Sequence, residues 1–301
     1  MNEILQIDTV EKYNRLFGIP TLHPLVSVVD LSRPEQLMPY KMNFGFYALF
    51  LKREMCGELT YGRGRYDYAD GTLVAIAPGQ IVGTNYPEGT KPPSARGVLF
   101  HPDLIRGTVL GQEMKNYTFF SYEENEALHL SEEERGIIEG CMDYIERELQ
   151  HRPDGLSRRL IVDQIDVLLG YCLRFYDRQF TTRSEQNQDT IVRFERLLDD
   201  YFDGVTPQEN GLPTVKYFAD RVFLSPNYFS DMIRKQTGKA PSEYIQAKLV
   251  ELAKEQLVSS RKTSTQIAYE LGFQYPQHLS RMFKRVAGCT PNEFRARAGR
   301  G

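Results

Sequence analysis

The sequence predicts an α+β multidomain chain. A strand-rich N-terminal part, either an antiparallel sandwich or a small barrel, carries a helical hairpin and precedes an all-α domain built as a double helix-turn-helix. Three observations predict this. Short apolar runs separated by Gly, Pro and Asp-Gly turn signals crowd the first 125 residues. Two longer stretches with helical apolar spacing follow. Near the C-terminus one pattern occurs twice: "YFSDMIRKQTGKAPSEY" (228–244) returns as "HLSRMFKRVAGCTPNEF" (278–294), so that Ser230, Met232, Gly238, Pro241 and Glu243 recur as Ser280, Met282, Gly288, Pro291 and Glu293.

At 301 residues the chain is long for a single domain, and each of two domains has enough sequence for its own core. The N-terminus lacks a basic stretch leading into an apolar run, no window approaches a membrane span, and a cytoplasmic location is expected. Cys56, Cys141, Cys172 and Cys289 are scattered, which reads as reduced, mostly buried thiols. The overall charge of −3 conceals a division. Residues 1–210 hold 22 Lys and Arg against 33 Asp and Glu (net −11), whereas residues 211–301 hold 15 against 7 (net +8). A basic module on an acidic body suits a polyanionic partner.

Taken in order, "DTVEKYNRLFG" (8–18) predicts a helix. "LVSVVDL" (25–31), "YKMNFGFYALFL" (40–51), "GELTYGRGRYDY" (57–68), "GTLVAIAPGQIVG" (71–83) and "ARGVLFHP" (95–102) predict strands. "SEEERGIIEGCMDYIERELQ" (131–150) opens on a Ser131–Glu134 capping box and places Ile137, Ile138, Cys141, Ile145 and Leu149 on one face. After the Pro-Asp-Gly turn at 153–155, residues 155–180 place Leu160, Ile161, Ile165, Leu168, Leu169, Cys172 and Phe175 inward. The two helices predict an antiparallel hairpin whose second apolar face suits either the protein's own sheet or a partner. "TTRSEQNQ" (181–188) is polar and unpatterned and reads as a linker.

In the first copy of the repeat, residues 212–223 have Val215, Phe218, Ala219 and Val222 at helical spacing, with Pro213 in the first turn. Ser225 and Pro226 supply an N-cap and an N1 proline, and residues 227–238 form a second helix ending at Gly238. The second copy runs through residues 263–273 and 276–288 and closes with a short helix capped by Thr290, Pro291 and Glu293. Its turn is one residue longer, and Gly272 is assigned as the extra residue. Between the copies, Ile245, Leu249, Leu252, Ala253 and Leu257 make one apolar stripe on an unbroken helix (242–258), roughly 25 Å long. With the offset of each second helix, the spacing approaches one DNA turn, roughly 34 Å. The duplicated unit is thereby suited to two successive major grooves of double-stranded DNA.

Residues 189–298 resemble the double helix-turn-helix DNA-binding domain of the AraC/XylS family of transcription regulators, most clearly in "IAYELGF…LSRMFKRVAGCTPNEFR". The strand-rich part followed by a hairpin is similar to that family's cupin-like effector-binding and dimerisation domain, as are "GTLVAIAPGQ" and "VLFHPD". The resemblance implies three regions. Residues 1–182 form a cupin-like domain (barrel about 20–125, hairpin about 131–180), 183–188 a linker, and 189–301 the DNA-binding domain with motifs at 212–238 and 263–288. It implies base contacts from Asn227, Ser230 and Asp231 in the first motif and Gln277, Ser280 and Arg281 in the second. Arg281 suits guanine and Gln277 adenine, whereas Asp231 stands where the family has a basic residue, so the first helix carries less sequence information. Arg234, Lys235, Lys284 and Arg285 are assigned to phosphates. Tyr275 takes the place of an N-cap Ser or Thr.

The histidines of the N-terminal part, His23, His101, His129 and His151, are dispersed and contain no His-x-His pair, so no metal, cofactor or enzymatic activity is expected. Phe44, Phe46, Tyr47, Tyr61, Tyr66 and Tyr68, with Arg63 or Arg65, are candidates for an effector pocket or for plain core. The implied partners are DNA, a small-molecule effector, and a second copy through helices 131–150 and 155–180. Two alternatives stay open: a metal-free cupin-like enzyme with an autoregulatory DNA-binding domain, and a constitutive DNA binder whose barrel only dimerises.

Overall fold

A run of alternating apolar residues becomes one strand only if nothing breaks its pairing, and two such runs here are broken. The computed structural model describes residues 4–31, 41–52, 71–83, 94–123, 126–203 and 206–298. Contacts divide the chain into Met1–Gln179 and Phe180–Gly301, with the boundary inside a continuous helix. Residues 40–51, expected as one strand, form β3 (Lys41–Phe44) and β4 (Tyr47–Lys52). Residues 71–83 likewise form β5 (Thr72–Ile76) and β6 (Ile81–Gly83). At the first break, a Cβ on Gly45 would lie 2.6 Å from the Asp8 carbonyl oxygen, so only glycine lets the chain pass there. At the second, the Gln80 side chain accepts from the Ala77 amide at 2.8 Å.

Each break sends the chain from one sheet to the other. The first sheet has the order β1-β3-β6, with β1 being Ile4–Ile7, parallel to β3. The second is antiparallel, with the order β2-β7-β4-β5-β8, where β2 is Val26–Asp30, β7 Ala95–Phe100 and β8 Leu128–His129. The described strands form two open sheets and no closed barrel. The run expected over 57–68 lies outside the described residues.

One core joins the two sheets. Ile7 and Phe44 from the first meet Val29, Ala48, Ile76 and Leu99 from the second, with Phe46 beside them and Val10 and Tyr13 from α1 (Val10–Leu16). Burying a side chain of this size contributes about 1.5–3 kcal/mol. Every residue of β7 is buried, Arg96 included. That guanidinium is held by Asp143 and Glu146, each at 2.5 Å, so a buried charge is paired.

Beyond the short helices α2 (Pro102–Ile105) and α3 (Val109–Glu113) come α4 (Glu132–Gln150) and α5 (Ser157–Thr182). The Ser131–Glu134 capping box forms as expected. Arg178 near the end of α5 donates to Glu134 at the start of α4, which makes the pair antiparallel. Ile161, Ile165, Leu168, Leu169, Cys172 and Phe175 are buried, but Leu160 is 46% exposed rather than inward. Cys141, Cys172 and Cys289 are buried free thiols, burial raising the thiol pKa of Cys141, and Cys56 lies outside the described residues. Among the described residues no helix is long and apolar enough to cross a membrane.

Residues 181–188, expected to be a linker, are helical: α5 runs to Thr182 and α6 (Ser184–Phe202) begins after Arg183. The polar composition misled because most of these side chains face solvent, yet Asn187 is buried and donates to the Phe180 carbonyl at 2.8 Å. Gln236 donates to the same oxygen at 2.7 Å. The remaining elements are α7 (Thr206–Asn210), α8 (Val215–Arg221), α9 (Pro226–Thr237), α10 (Pro241–Ser259), α11 (Ser264–Glu270), α12 (Pro276–Ala287) and α13 (Pro291–Ala298). Pro213 stands one residue ahead of the Thr214 N-cap, not in the first turn of α8.

Candidate nucleic-acid interface

Each motif is set up by local chemistry first. In the first, Thr214 caps α8, Ser225 accepts from the Tyr228 amide at 3.3 Å to cap α9, and Gly238 ends α9 in the left-handed conformation. In the second, Thr263 and Gln266 form a capping box on α11, and Gly288 ends α12 in the left-handed conformation. Ala219 and Ala268 are fully buried, which lets the paired helices approach. The first motif closes around Phe194 of α6, whose ring meets Phe218 and Phe229 at 5.2 Å and Tyr244 at 5.8 Å. The second is closed by α13: Phe294 meets Phe283 at 5.7 Å, and Arg295 donates to the carbonyls of Leu257 and Lys262. Hydrogen bonds from the amide and hydroxyl of Thr290 hold the Glu293 carboxyl below its usual range.

The turns correct one expectation. Leu224 donates its amide to Ala219 at 3.0 Å, and Phe273 donates to Ala268 at 2.9 Å, so the two turns match residue for residue to that point. Gly272 (φ +89°) then has a counterpart in Phe223 (φ +61°). The extra residue of the second motif is Gln274, between Phe273 and the Tyr275 N-cap of α12. The left-handed position requires Gly272 and merely tolerates Phe223, which is 73% exposed and has Arg193 over its ring at 5.4 Å. Phe223→Asn is expected to stabilise the protein by about 0.5–1 kcal/mol, since Asn enters this conformation more easily. Thermal unfolding of the two proteins side by side checks this.

The expected contact residues fall on the outer faces of α9 and α12. Asn227, Arg234, Lys235, Gln277, Arg281, Lys284 and Arg285 are exposed. Ser230, Asp231 and Ser280 are half-buried, and both serine hydroxyls donate back to the carbonyl four residues earlier, Pro226 at 2.7 Å and Pro276 at 3.4 Å. Arg285 donates to Gln246 on α10 at 2.9 Å, which ties α12 to the connecting helix. Tyr275 and His278 are exposed at the same tip as Gln277 and were not expected there as contacts. The signal was present, since His278 precedes Arg281 by three residues and so shares its face.

The expected effector residues fare differently. Phe44 and Phe46 are buried core, their rings stacked at 5.0 Å. Tyr47 is half-buried against Phe100 and Phe120. Tyr61, Arg63, Arg65, Tyr66 and Tyr68 lie outside the described residues. Among the described residues no three His, Cys, Asp or Glu side chains gather as a metal site requires.

Two helix-turn-helix motifs with a shared connecting helix define the C-terminal unit as a helix-turn-helix domain, and residues 218–297 match that family. A putative AraC-like transcription regulator of Streptomyces lividans is 33% identical over 82 residues, covering 27% of each chain. An uncharacterised transcriptional regulatory protein of Bacillus subtilis, YesN, is 35% identical over 148 residues, covering 48% of this chain and 38% of that one. The arabinose operon regulatory protein of Salmonella typhimurium is 28% identical over 102 residues, covering 34% and 32%. This chain thus spans about a third of the length of these two relatives. A solved AraC-type regulator from Chromobacterium violaceum aligns over 38% of this chain and 96% of its own, with 21% identity and a TM-score of 0.32.

Proposed function

We propose that the chain is a sequence-specific, DNA-binding transcription regulator and not an enzyme, acting in the cytoplasm. The observation that carries this is the pair of helices α9 and α12, each presenting a polar and basic face, which flank the unbroken α10 along the chain. Nineteen residues make α10 about 28 Å long. Asn227, Gln277 and Arg281 are suited to base edges, and Arg234, Lys235 and Lys284 to phosphates. Arg285 gives one of its five N–H donors to Gln246 and keeps the others for a phosphate.

The test is binding of the full chain to fragments of its own genomic neighbourhood at several salt concentrations. Affinity for a discrete site should fall steeply with salt. Arg281→Ala should weaken that site by about 1–3 kcal/mol and relax its sequence preference. Unchanged binding would remove Arg281 from the interface.

The two facing sheets support a cupin-like N-terminal unit, and the exposed Tyr144, Leu156, Leu160 and Val167 on and beside α4 and α5 support a homodimer through these helices. An effector pocket among Tyr61, Arg63 and Tyr66 remains part of the proposal. One observation favours a second reading: Phe44 and Phe46 fill the space between the sheets, as suits a domain that only dimerises. A small-molecule screen that shifts operator affinity would favour the effector.

A further inference from the structure

The N-cap of a helix is where a short polar side chain contributes most, and at α12 the chain forgoes it. Tyr275 occupies that position with no side-chain hydrogen bond to the helix, whereas Ser225 caps α9 at the corresponding place. A missing cap costs about 0.5–2 kcal/mol. The Tyr275 ring does not recover this by burial, because it is 54% exposed. Its one described ring contact is His278, edge-on at 5.5 Å, itself exposed one turn into α12. Gln274 stands between Phe273 and this cap, whereas Leu224 leads directly into Ser225. A local rule broken at a measurable cost, in an exposed place beside Gln277 and Arg281, marks a contact surface.

From this we infer that Tyr275 is a specificity-determining residue of the second motif. Its ring packs on the 5-methyl group of a thymine in the major groove, and His278 positions the ring. The inference rests on the DNA-binding reading given above. The N-terminal end of a recognition helix reaches base edges, and the thymine methyl is the one apolar feature that the major groove offers.

The test selects sites from a random duplex library with the full-length wild type, Tyr275→Ser and His278→Ala in parallel. Wild type should enrich a site with a defined thymine beside the bases read by Arg281. Tyr275→Ser should lose the preference at that one position, His278→Ala should weaken it there, and both should keep the rest of the site. Replacing that thymine by uracil should weaken wild type about fourfold, the value of one methyl group, and leave Tyr275→Ser unchanged. Because serine restores the cap, Tyr275→Ser should melt at or above the wild-type temperature. An unchanged site, or an equal uracil effect in both proteins, overturns the inference while leaving DNA binding intact. A lower melting temperature for Tyr275→Ser also overturns it, since the ring would then be held for packing. If wild type enriches no site, the regulator reading itself falls.

Discussion

Gly272→Ala is expected to destabilise the C-terminal unit by roughly 2–5 kcal/mol, combining a left-handed backbone with an enforced shift of packed groups. The residue has φ +89°, and a Cβ placed there would lie 2.6 Å from the Pro207 carbonyl oxygen and 2.8–2.9 Å from the carbonyl of Gly211. These are backbone atoms of α7 and of the residue that follows it, so no side-chain rotation relieves the clash. Nor is α7 free to retreat, because Gly211 is held by its own hydrogen bond to Pro207 at 2.9 Å and by the Tyr201 hydroxyl at 2.8 Å. The bracket formed by α7 therefore ties the turn of the second motif to α6. Gly288→Ala is the control. It shares the positive φ, at +75°, but its Cβ would meet nothing within 4 Å, so it should cost only about 1–2 kcal/mol. Urea unfolding of both variants isolates the close approach. If Gly272→Ala were no worse than Gly288→Ala, α7 would not be holding the turn.

Phe194→Ala should cost about 3–5 kcal/mol, in the range for removing a fully buried ring. Phe194 is completely buried, and its neighbours come from three different helices, α8, α9 and α10. A cavity at that junction loosens the seat of α9, so amide exchange should accelerate across α8 and α9 more than across α12. Phe194 also precedes the matched residues 218–297, so the experiment asks whether α6 is part of the folded domain. A loss below 1 kcal/mol would mean that the first motif stands without it.

Much of the candidate site was legible in the sequence, because it rests on local chemistry. Ser225 with Pro226, Gly238, Gly288, and the capping residues Thr290 and Glu293 act within three or four positions of themselves, so their spacing alone locates the helix ends. Exposure was harder to read. Ser230 and Ser280 look available in a helical projection, yet their hydroxyls turn back to backbone carbonyls that only the folded helix presents. Tyr275 stands out in the sequence as an unusual cap, but its solvent exposure and its contact with His278 depend on how α12 leaves the turn.

By itself the sequence determined the two motifs, their order, the caps that delimit them, and the charge division that separates a basic C-terminal part from an acidic remainder. Periodicity and capping are short-range, and each is complete within one turn of helix. The tertiary structure alone decided that β3 and β4 lie in different sheets, that the polar stretch 181–188 continues into α6, and that Gln274 rather than Gly272 is the inserted residue. The first two turn on contacts between segments distant along the chain, Gly45 against Asp8 and Gln236 at the Phe180 carbonyl, while the third shows only in the folded turns, where the Leu224–Ala219 and Phe273–Ala268 hydrogen bonds align the two copies. Steric exclusion between such segments leaves no periodic trace in either one, so it becomes visible only once they are folded together.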